Sequence, residues 1–203
     1  MTKSQEYPNC AILLSYLFSR WIIEPEEFLR NYDPTERPAE TFLLYEICWN
    51  NRRNTWKNWC TNTHDLHAEK NFLQNYCEKI SLRKNTPCSI IWYLSWSPCH
   101  SCSQDIIEFL RAHPKVRLEI KAAQLYKHQD ERTQEGLRDL VRNGVKISIM
   151  HQSDYCKCWR TFVVPQRPSE VYWHLAFTRH FLSPISDYSK KLASILEDLS
   201  SEQ

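Results

Sequence analysis

Glycine is scarce in this chain of 203 residues, which has only 2. Neither GxGxxG nor GxxxxGK[ST] occurs, so the ordinary phosphate-cradling loops of dinucleotide-binding and P-loop proteins are excluded. An excess of charge of one sign is also missing, because 26 Lys and Arg residues face 24 Asp and Glu residues. No block of the chain forms a basic arm, so a polyanionic partner would have to be held in a local groove.

Long apolar runs are missing as well. The most apolar N-terminal segment, residues 10–23, falls short of the roughly 20 apolar residues that cross a bilayer. It contains Arg20 and has no cleavage site of the signal-peptide type, so we interpret it as a helix or strand that docks on the domain or on a partner. We therefore expect no membrane partner, a cytoplasmic or nuclear location, and thiols that stay reduced.

Aromatic residues and cysteines are plentiful: 8 Trp, 10 Tyr, 8 Phe and 9 Cys. With 42% hydrophobic and 25% charged residues, the composition is that of a globular protein with room for one core. We predict an N-terminal extension over residues 1–21, one globular domain over 22–165, and a linker with a C-terminal helix that packs on the domain over 166–203.

The periodicity of apolar residues predicts alternating strands and helices. Strands are expected at residues 41–49, 54–60, 89–96, 118–126 and 145–150. Helices are expected at 24–29, 67–80, 99–113, 133–143 and 153–162, with Gly144 ending the fourth of these and a short amphipathic helix around 192–199. From residue 41 the order is β-β-α-β-α-β-α-β-α, which predicts an α/β sheet covered on both faces.

Metal-ligating residues stand at the starts of two predicted helices. His67-Ala68-Glu69 opens one helix, and Pro98-Cys99-His100-Ser101-Cys102 opens another. Cys99 and Cys102 are three residues apart and share a helix face, and a helix N-terminus favours thiolate. Two thiolates and one imidazole form a three-ligand zinc set that leaves the fourth position for water, which is the catalytic pattern. Zinc lowers the pKa of such a water to about 7, and Glu69 is placed to carry its proton.

A structural zinc site is the alternative for the same residues. It would need a fourth ligand, for which Cys60, Cys77 and Cys88 are the candidates, and His64 is a weaker candidate ligand.

The pattern H-x-E…P-C-x-x-C is the signature of zinc deaminases. The strings at residues 92–102, 125–126, 135–140 and 155–162 resemble those of the AID/APOBEC family of polynucleotide cytidine deaminases. Residues 22–34 and 43–49 most resemble the apolipoprotein B messenger-RNA editing branch of that family. The resemblance covers roughly residues 22–165.

The resemblance implies the cytidine deaminase fold, an α/β fold with a five-stranded mixed sheet flanked by about six helices. It implies one zinc ion per chain, held by His67, Cys99 and Cys102. Glu69 would pass protons from water to the ring nitrogen N3 and the leaving amine, so that cytosine becomes uracil. The implied partner is single-stranded DNA or RNA.

Substrate contacts are predicted at the ends of two neighbouring strands, where Trp96 and Tyr126 could wall a base. By resemblance, Thr41 and Asn62 would touch the target nucleotide, and Ala68 and Ser97 would offer backbone groups to the base edge. The candidate contacts to phosphate or to the 5′ base are Arg30, Arg37, Arg52, Arg53, Lys127 and His128.

The chain departs from the family pattern in three places. Gln124 stands where the family usually has Arg, and Lys127, at a position that helps choose the 5′ base, cannot accept a hydrogen bond. Residues 183–203 do not resemble the hydrophobic C-terminal region of the editing branch, which leaves a homo-oligomer or a protein cofactor open.

Other activities stay open at this stage. They are deamination of free cytidine, deamination of adenosine, and nucleic-acid binding by a zinc-stabilised module whose active site is unused. The biological role is open too. Polynucleotide cytidine deaminases use one chemistry for transcript editing, for restriction of viruses or transposons, and for antibody diversification.

Overall fold

A computed structural model describes residues 22–50, 55–76, 86–163 and 180–197. Strands and helices alternate in this part of the chain as predicted. The elements in chain order are α1 (Pro25–Tyr32), β1 (Phe42–Trp49), β2 (Thr55–Thr61), α2 (Ala68–Asn71), β3 (Cys88–Trp96), α3 (His100–Ala112), β4 (Val116–Gln124), α4 (Glu131–Arg142), β5 (Lys146–Ile149), α5 (Gln152–Phe162) and α6 (Leu182–Glu197).

The five strands form one mixed sheet in the order β2-β1-β3-β4-β5. Strand β1 is antiparallel to β2 and β3, whereas β3, β4 and β5 run parallel. Trp96 pairs with Gln124, so β3 and β4 end side by side at one edge of the sheet. The predicted α/β fold is thereby confirmed, with five mixed strands and six helices in the described residues.

Aromatic side chains seal both faces of the sheet. On one face the ring of Phe72, in a π-helical turn that continues α2, lies 4.7 Å from Tyr45 and 4.9 Å from Trp92. On the other face, Phe28 of α1 contacts Trp159 of α5 with 5.7 Å between ring centroids. Helices therefore cover both faces, as the alternation of elements predicts.

Several boundaries differ from the predicted ones, and two of these differences have a local cause. Strand β4 ends at Gln124, two residues early, because the backbone N–H of Tyr126 leaves the sheet and donates to Ser97 Oγ at 2.9 Å. Helix α4 begins two residues earlier than expected, since Asp130 caps it by accepting from the Thr133 N–H at 2.9 Å. The predicted cap at Gly144 is confirmed by its φ of +85°.

The C-terminal helix is longer than the pattern around residues 192–199 indicates, because it begins at Leu182. Its buried residues Ile185, Leu192 and Ile195 face the domain, and the helix packs against β5 and α4. Arg138 Nε of α4 also donates to the Ile195 carbonyl at 3.0 Å. The predicted N-terminal extension, the linker near residues 165–168 and residues 198–203 lie outside the described residues.

Helices α3 and α4 approach each other closely at Gly136. A Cβ at this glycine would lie 3.0 Å from the Cα of His100 and 3.0 Å from Ser103 Oγ.

Within the part of the chain that the structure describes, no helix is both long enough and apolar enough to cross a membrane.

Candidate active site

Three metal-ligating side chains come together at the starts of two helices. His67 directly precedes α2, Cys99 caps α3, and Cys102 lies in the first turn of α3. His67 Nδ1 is 3.5 Å from Cys99 Sγ and 3.3 Å from Cys102 Sγ. The potential ligand atoms of the three residues all lie within 4.8 Å of one another. The two helix starts that the sequence predicts to converge do so.

The chemistry of these donors suits zinc, which binds thiolates and imidazole. Hydrogen bonds from the Cys102 thiol and backbone N–H lower the pKa of Cys99 to about 5, against the opposing effect of burial. Cys99 is therefore a thiolate at neutral pH, and the same thiol–thiolate hydrogen bond raises the pKa of Cys102. The cluster found among the described residues has three members, which matches a catalytic zinc site better than a closed four-ligand one.

The candidate fourth ligands lie elsewhere. Cys60 is buried with its Sγ 3.6 Å from the Ala68 carbonyl, and burial raises the pKa of its thiol. Cys88 begins β3, whereas Cys99 follows the end of that strand. His64 is exposed and pairs with Asp65 at 2.8 Å. Cys77 lies outside the described residues.

Glu69 lies in α2, two residues beyond His67, and is 3% exposed. Burial raises the pKa of its carboxyl to about 7, and the negative charge of Cys99 contributes in the same direction. Hydrogen bonds from its own backbone N–H and from Cys102 oppose this shift. No Lys or Arg of the described residues lies within ion-pair distance of Glu69. Such a carboxyl can both take up and release a proton near neutral pH.

These groups open onto one cavity of about 180 Å³. Thr41 and Asn62 lie on its rim and are joined by two hydrogen bonds. The Thr41 N–H donates to Asn62 Oδ1 at 2.7 Å, and the Asn62 N–H donates to the Thr41 carbonyl at 3.2 Å. We name this space the catalytic cavity; its lining residues are Ala39, Thr41, Asn62, His67, Glu69, Trp96, Ser97, Cys99 and Tyr126.

Two aromatic rings wall the catalytic cavity. Trp96 and Tyr126 stand nearly perpendicular, with 6.4 Å between ring centroids. Trp96 Nε1 donates to the Pro38 carbonyl at 3.1 Å, which fixes the indole. Ser97 donates its backbone N–H to the Gln124 carbonyl at 2.8 Å, so a contact between Ser97 and a base would use its carbonyl. Ala68 is fully buried and is not among the residues that line this cavity.

A second cavity, of about 400 Å³, adjoins the first and shares Ala39, Thr41, Trp96 and Tyr126 with it. We call it the flanking cavity. It is lined in addition by Arg37, Pro38, Leu125, Lys127, His128 and Tyr188.

A third cavity, of about 420 Å³, lies beyond His67, Cys99 and Tyr126 and is lined also by Lys127 and Arg132. Because Tyr126 borders all three spaces, they adjoin one another beside the potential metal ligands, and we refer to them together as the groove.

Of the remaining predicted contacts, Arg30 lies away from this groove. Arg30 is exposed on α1 and lines none of the three cavities. Arg52 and Arg53 lie outside the described residues. Gln124, the departure from the family pattern, is buried and donates to the Asp33 carbonyl at 3.1 Å. That departure therefore affects how α1 is joined to β4.

Tyr188 is one of the groove residues that the sequence patterns missed, as is Arg132. Tyr188 lies on α6, four residues before Leu192, at a spacing that places both on one helix face. Extending the apolar pattern of the C-terminal helix toward the N-terminus would have found it. Its proximity to the groove depends on the packing of α6, which the pattern does not report.

Comparison with known proteins agrees with this site. A family model described as APOBEC4-like AID/APOBEC-deaminase matches residues 31–164. The chain is 50% identical over 151 residues to the C->U-editing enzyme APOBEC-1 of Mus musculus, covering 74% of this chain and 66% of the relative. The corresponding enzyme of Homo sapiens is 46% identical over 151 residues, covering 74% and 64%. The DNA dC->dU-editing enzyme APOBEC-3H of Pongo pygmaeus is 32% identical over 131 residues, covering 64% and 62%.

The matched part spans slightly less than two thirds of the length of each of these relatives. The family model's match over residues 31–164 includes His67, Glu69, Cys99 and Cys102 together with the walls of the catalytic cavity. From the match over residues 31–164, the chain belongs to the AID/APOBEC deaminase family.

Proposed function

We propose that this chain converts cytosine to uracil in single-stranded DNA or RNA. One observation carries the proposal: the buried Glu69 lines the same cavity of about 180 Å³ as His67 and Cys99, and Trp96 and Tyr126 line it too. Membership of the deaminase family supports it, as do relatives named for C->U editing and for DNA dC->dU editing.

The potential zinc ligands and Glu69 have separate roles in a hydrolytic deamination. His67, Cys99 and Cys102 would hold zinc, which when bound supplies the Lewis acidity that activates water for attack on C4 of cytosine. Glu69 accepts a proton from the attacking water and delivers it to N3 of the ring. It then transfers the second proton of that water to the departing amine. Water and cytosine therefore yield uracil and ammonia.

The shape of the groove favours a polynucleotide over a free nucleoside. The catalytic cavity continues into spaces of about 400 and 420 Å³, so nucleotides on both sides of the target can be accommodated. Arg37, Lys127 and Arg132 line these spaces and supply cations for phosphates. Because the net charge is only +2, we expect stacking on Trp96 and Tyr126 to provide much of the affinity.

Uracil formation tests the proposal directly. The zinc-loaded chain is incubated with matched single-stranded DNA and RNA oligonucleotides that contain one cytosine and each of the four 5′ neighbours. Free cytidine is assayed in parallel, and Glu69→Gln is the control for background. We expect uracil in at least one nucleic acid, at a rate about a hundredfold or more above that on cytidine.

Two results would contradict the proposal. Comparable rates on cytidine and on oligonucleotides would indicate a nucleoside deaminase. Salt-sensitive binding of single strands by the zinc-loaded chain without any uracil would indicate a binding module.

A further inference from the structure

We propose that Tyr188 of the C-terminal helix, together with His128, forms a wall that selects the base next to the target cytosine and favours a keto-bearing base there. The inference deepens the proposed function and rests on it. It assigns a specificity role to α6, a helix outside residues 31–164, the range matched by the family model.

Position is the first argument. Tyr188 and His128 line the flanking cavity but not the catalytic cavity, and the two cavities share Ala39, Thr41, Trp96 and Tyr126. A strand whose cytosine occupies the catalytic cavity must place an adjoining nucleotide against these shared walls. The volume of about 400 Å³ lies in the range of cavities that hold small ligands. The neighbouring base is therefore the part of the strand that Tyr188 can touch.

The second argument is that Tyr188 is held in place. It lies three residues after Ile185 and four before Leu192, both of which are buried, so it continues the face of α6 that packs on the domain. Its ring stands nearly perpendicular to that of His128, with 6.4 Å between centroids. The Lys191 ammonium lies 5.3 Å from the Tyr188 ring centroid. An aromatic wall fixed in this way can bind a base without first having to be ordered.

The third argument is chemical. Among the described residues that line the flanking cavity there is no Asp or Glu, whereas Arg37, Lys127 and the Tyr188 hydroxyl can all donate hydrogen bonds. Burial, with the charge of Lys191, lowers the pKa of His128, and a hydrogen bond from the His128 ring to the Leu125 backbone opposes this shift, so His128 contributes its ring face to the wall. Donors suit the keto oxygens of thymine, uracil and guanine, whereas adenine and cytosine present an amine on that edge.

The experiment measures deamination of oligonucleotides that carry each of the four bases on either side of the target cytosine. The quantity compared is the ratio of kcat/KM for keto-bearing over amino-bearing neighbours, on the side where it is larger. In the unmutated chain we expect a ratio of about tenfold or more. Tyr188→Ala should bring it to within about twofold of unity, and Tyr188→Phe should retain part of it.

Controls separate selectivity from folding. Lys190→Ala changes an exposed residue of the same helix, outside the flanking cavity, and should leave the ratio unchanged. Tm and zinc content are measured for every variant. A structural role alone would lower kcat/KM for all neighbours by one factor without moving the ratio, and that result would overturn the inference. A ratio near one in the unmutated chain, or one that favours amino-bearing neighbours, would overturn it as well.

Failure of the proposed function can be told apart from failure of this inference. Binding of the same oligonucleotides is measured by fluorescence anisotropy on Glu69→Gln and on the Glu69→Gln, Tyr188→Ala double variant. If the unmutated chain forms no uracil, the deaminase proposal fails, and the binding ratio still tests Tyr188. Equal binding ratios in the two variants would then contradict the role of Tyr188.

Discussion

The two faces of the sheet bury carboxylates in opposite ways. On the face covered by α2, Glu69 is 3% exposed and no ammonium or guanidinium of the described residues lies within ion-pair distance. On the face covered by α5, each carboxylate has a lysine: Glu46 Oε1 lies 3.0 Å from Lys157 Nζ, and Asp154 Oδ1 lies 2.6 Å from Lys121 Nζ.

This difference separates two uses of a buried acid. A carboxylate paired with an ammonium joins elements together, here β1 and β4 to α5. For a carboxyl without an ammonium or guanidinium partner, burial can outweigh the opposing hydrogen bonds and raise the pKa, which is the condition for exchanging a proton near neutral pH. Glu69 therefore has the environment of an acid–base group, and Glu46 and Asp154 have that of structural groups.

The largest effect is expected at the thiols beside Glu69. Cys102→Ala removes one of three clustered donors, so zinc content should fall from about one per chain to near zero and uracil formation should stop. Cys60→Ala removes a buried thiol outside the cluster and should keep zinc at about one. Elemental analysis of the purified variants measures both. Loss of zinc from Cys60→Ala would show that the cluster is incomplete as described.

The next effect is a direct contrast between two glutamates. Glu69→Gln should lower the rate of uracil formation by about a thousandfold, because the amide cannot carry a proton, while zinc content stays the same. Glu46 lies on the opposite face of the sheet, so Glu46→Gln should change the rate of uracil formation per folded molecule by less than about twofold. The two rates are measured on one oligonucleotide at saturating concentration. Normal turnover by Glu69→Gln would refute the proton-transfer role.

A third prediction concerns stability on the face covered by α5. Asp154→Asn leaves the ammonium of Lys121, whose side chain is 22% exposed, without its close partner. The free energy of unfolding should fall by about 2 to 3 kcal/mol, which urea denaturation measures. Glu119 lies farther from Lys121 Nζ, at 3.7 Å, and is more exposed, so Glu119→Gln should cost less than about 1 kcal/mol. Equal losses in the two variants would contradict the pairing.

The smallest effect concerns pH, because we expect the stability difference between the unmutated chain and Asp154→Asn to change little with it. Burial alone lowers the pKa of Lys121, but the hydrogen bond and charge of Asp154 outweigh it, so the net pKa is raised above its usual 10.5. A base with a raised pKa contributes stability that is present below the unfolded-state pKa and is lost only as pH rises through the folded one. The stability difference between the unmutated chain and Asp154→Asn should therefore stay constant between pH 6 and 9. A difference that shrinks by pH 9 would contradict this prediction.

Local patterns explain why much of the site could be predicted. His67 and Glu69 are two residues apart, Cys99 and Cys102 are three apart, and both pairs stand at helix starts, so local spacing already constrains their geometry. The α/β class of the fold follows similarly from the alternation of strands and helices.

Contacts between distant segments could not be predicted in this way. His128 and Tyr188 are 60 positions apart, and their contact depends on where α6 begins and on how it packs against β5 and α4. The end of β4 depends on a hydrogen bond from Tyr126 to Ser97, a side chain that follows another strand. The burial of Gln124 likewise depends on α1, which precedes it by about ninety residues. These features arise from tertiary packing, which apolar periodicity does not encode.

The close approach of α3 to α4 at Gly136 also fixes where the two cysteine ligands on α3 lie. His100, whose Cα would be 3.0 Å from an added Cβ, is the residue between Cys99 and the rest of α3. Any side chain at position 136 would push α3 away from α4, and Cys99 and Cys102 would move with α3 relative to His67, which lies on a separate segment. The positional precision of the three sulfur and nitrogen donors thus depends on the absence of one methyl group on a neighbouring helix.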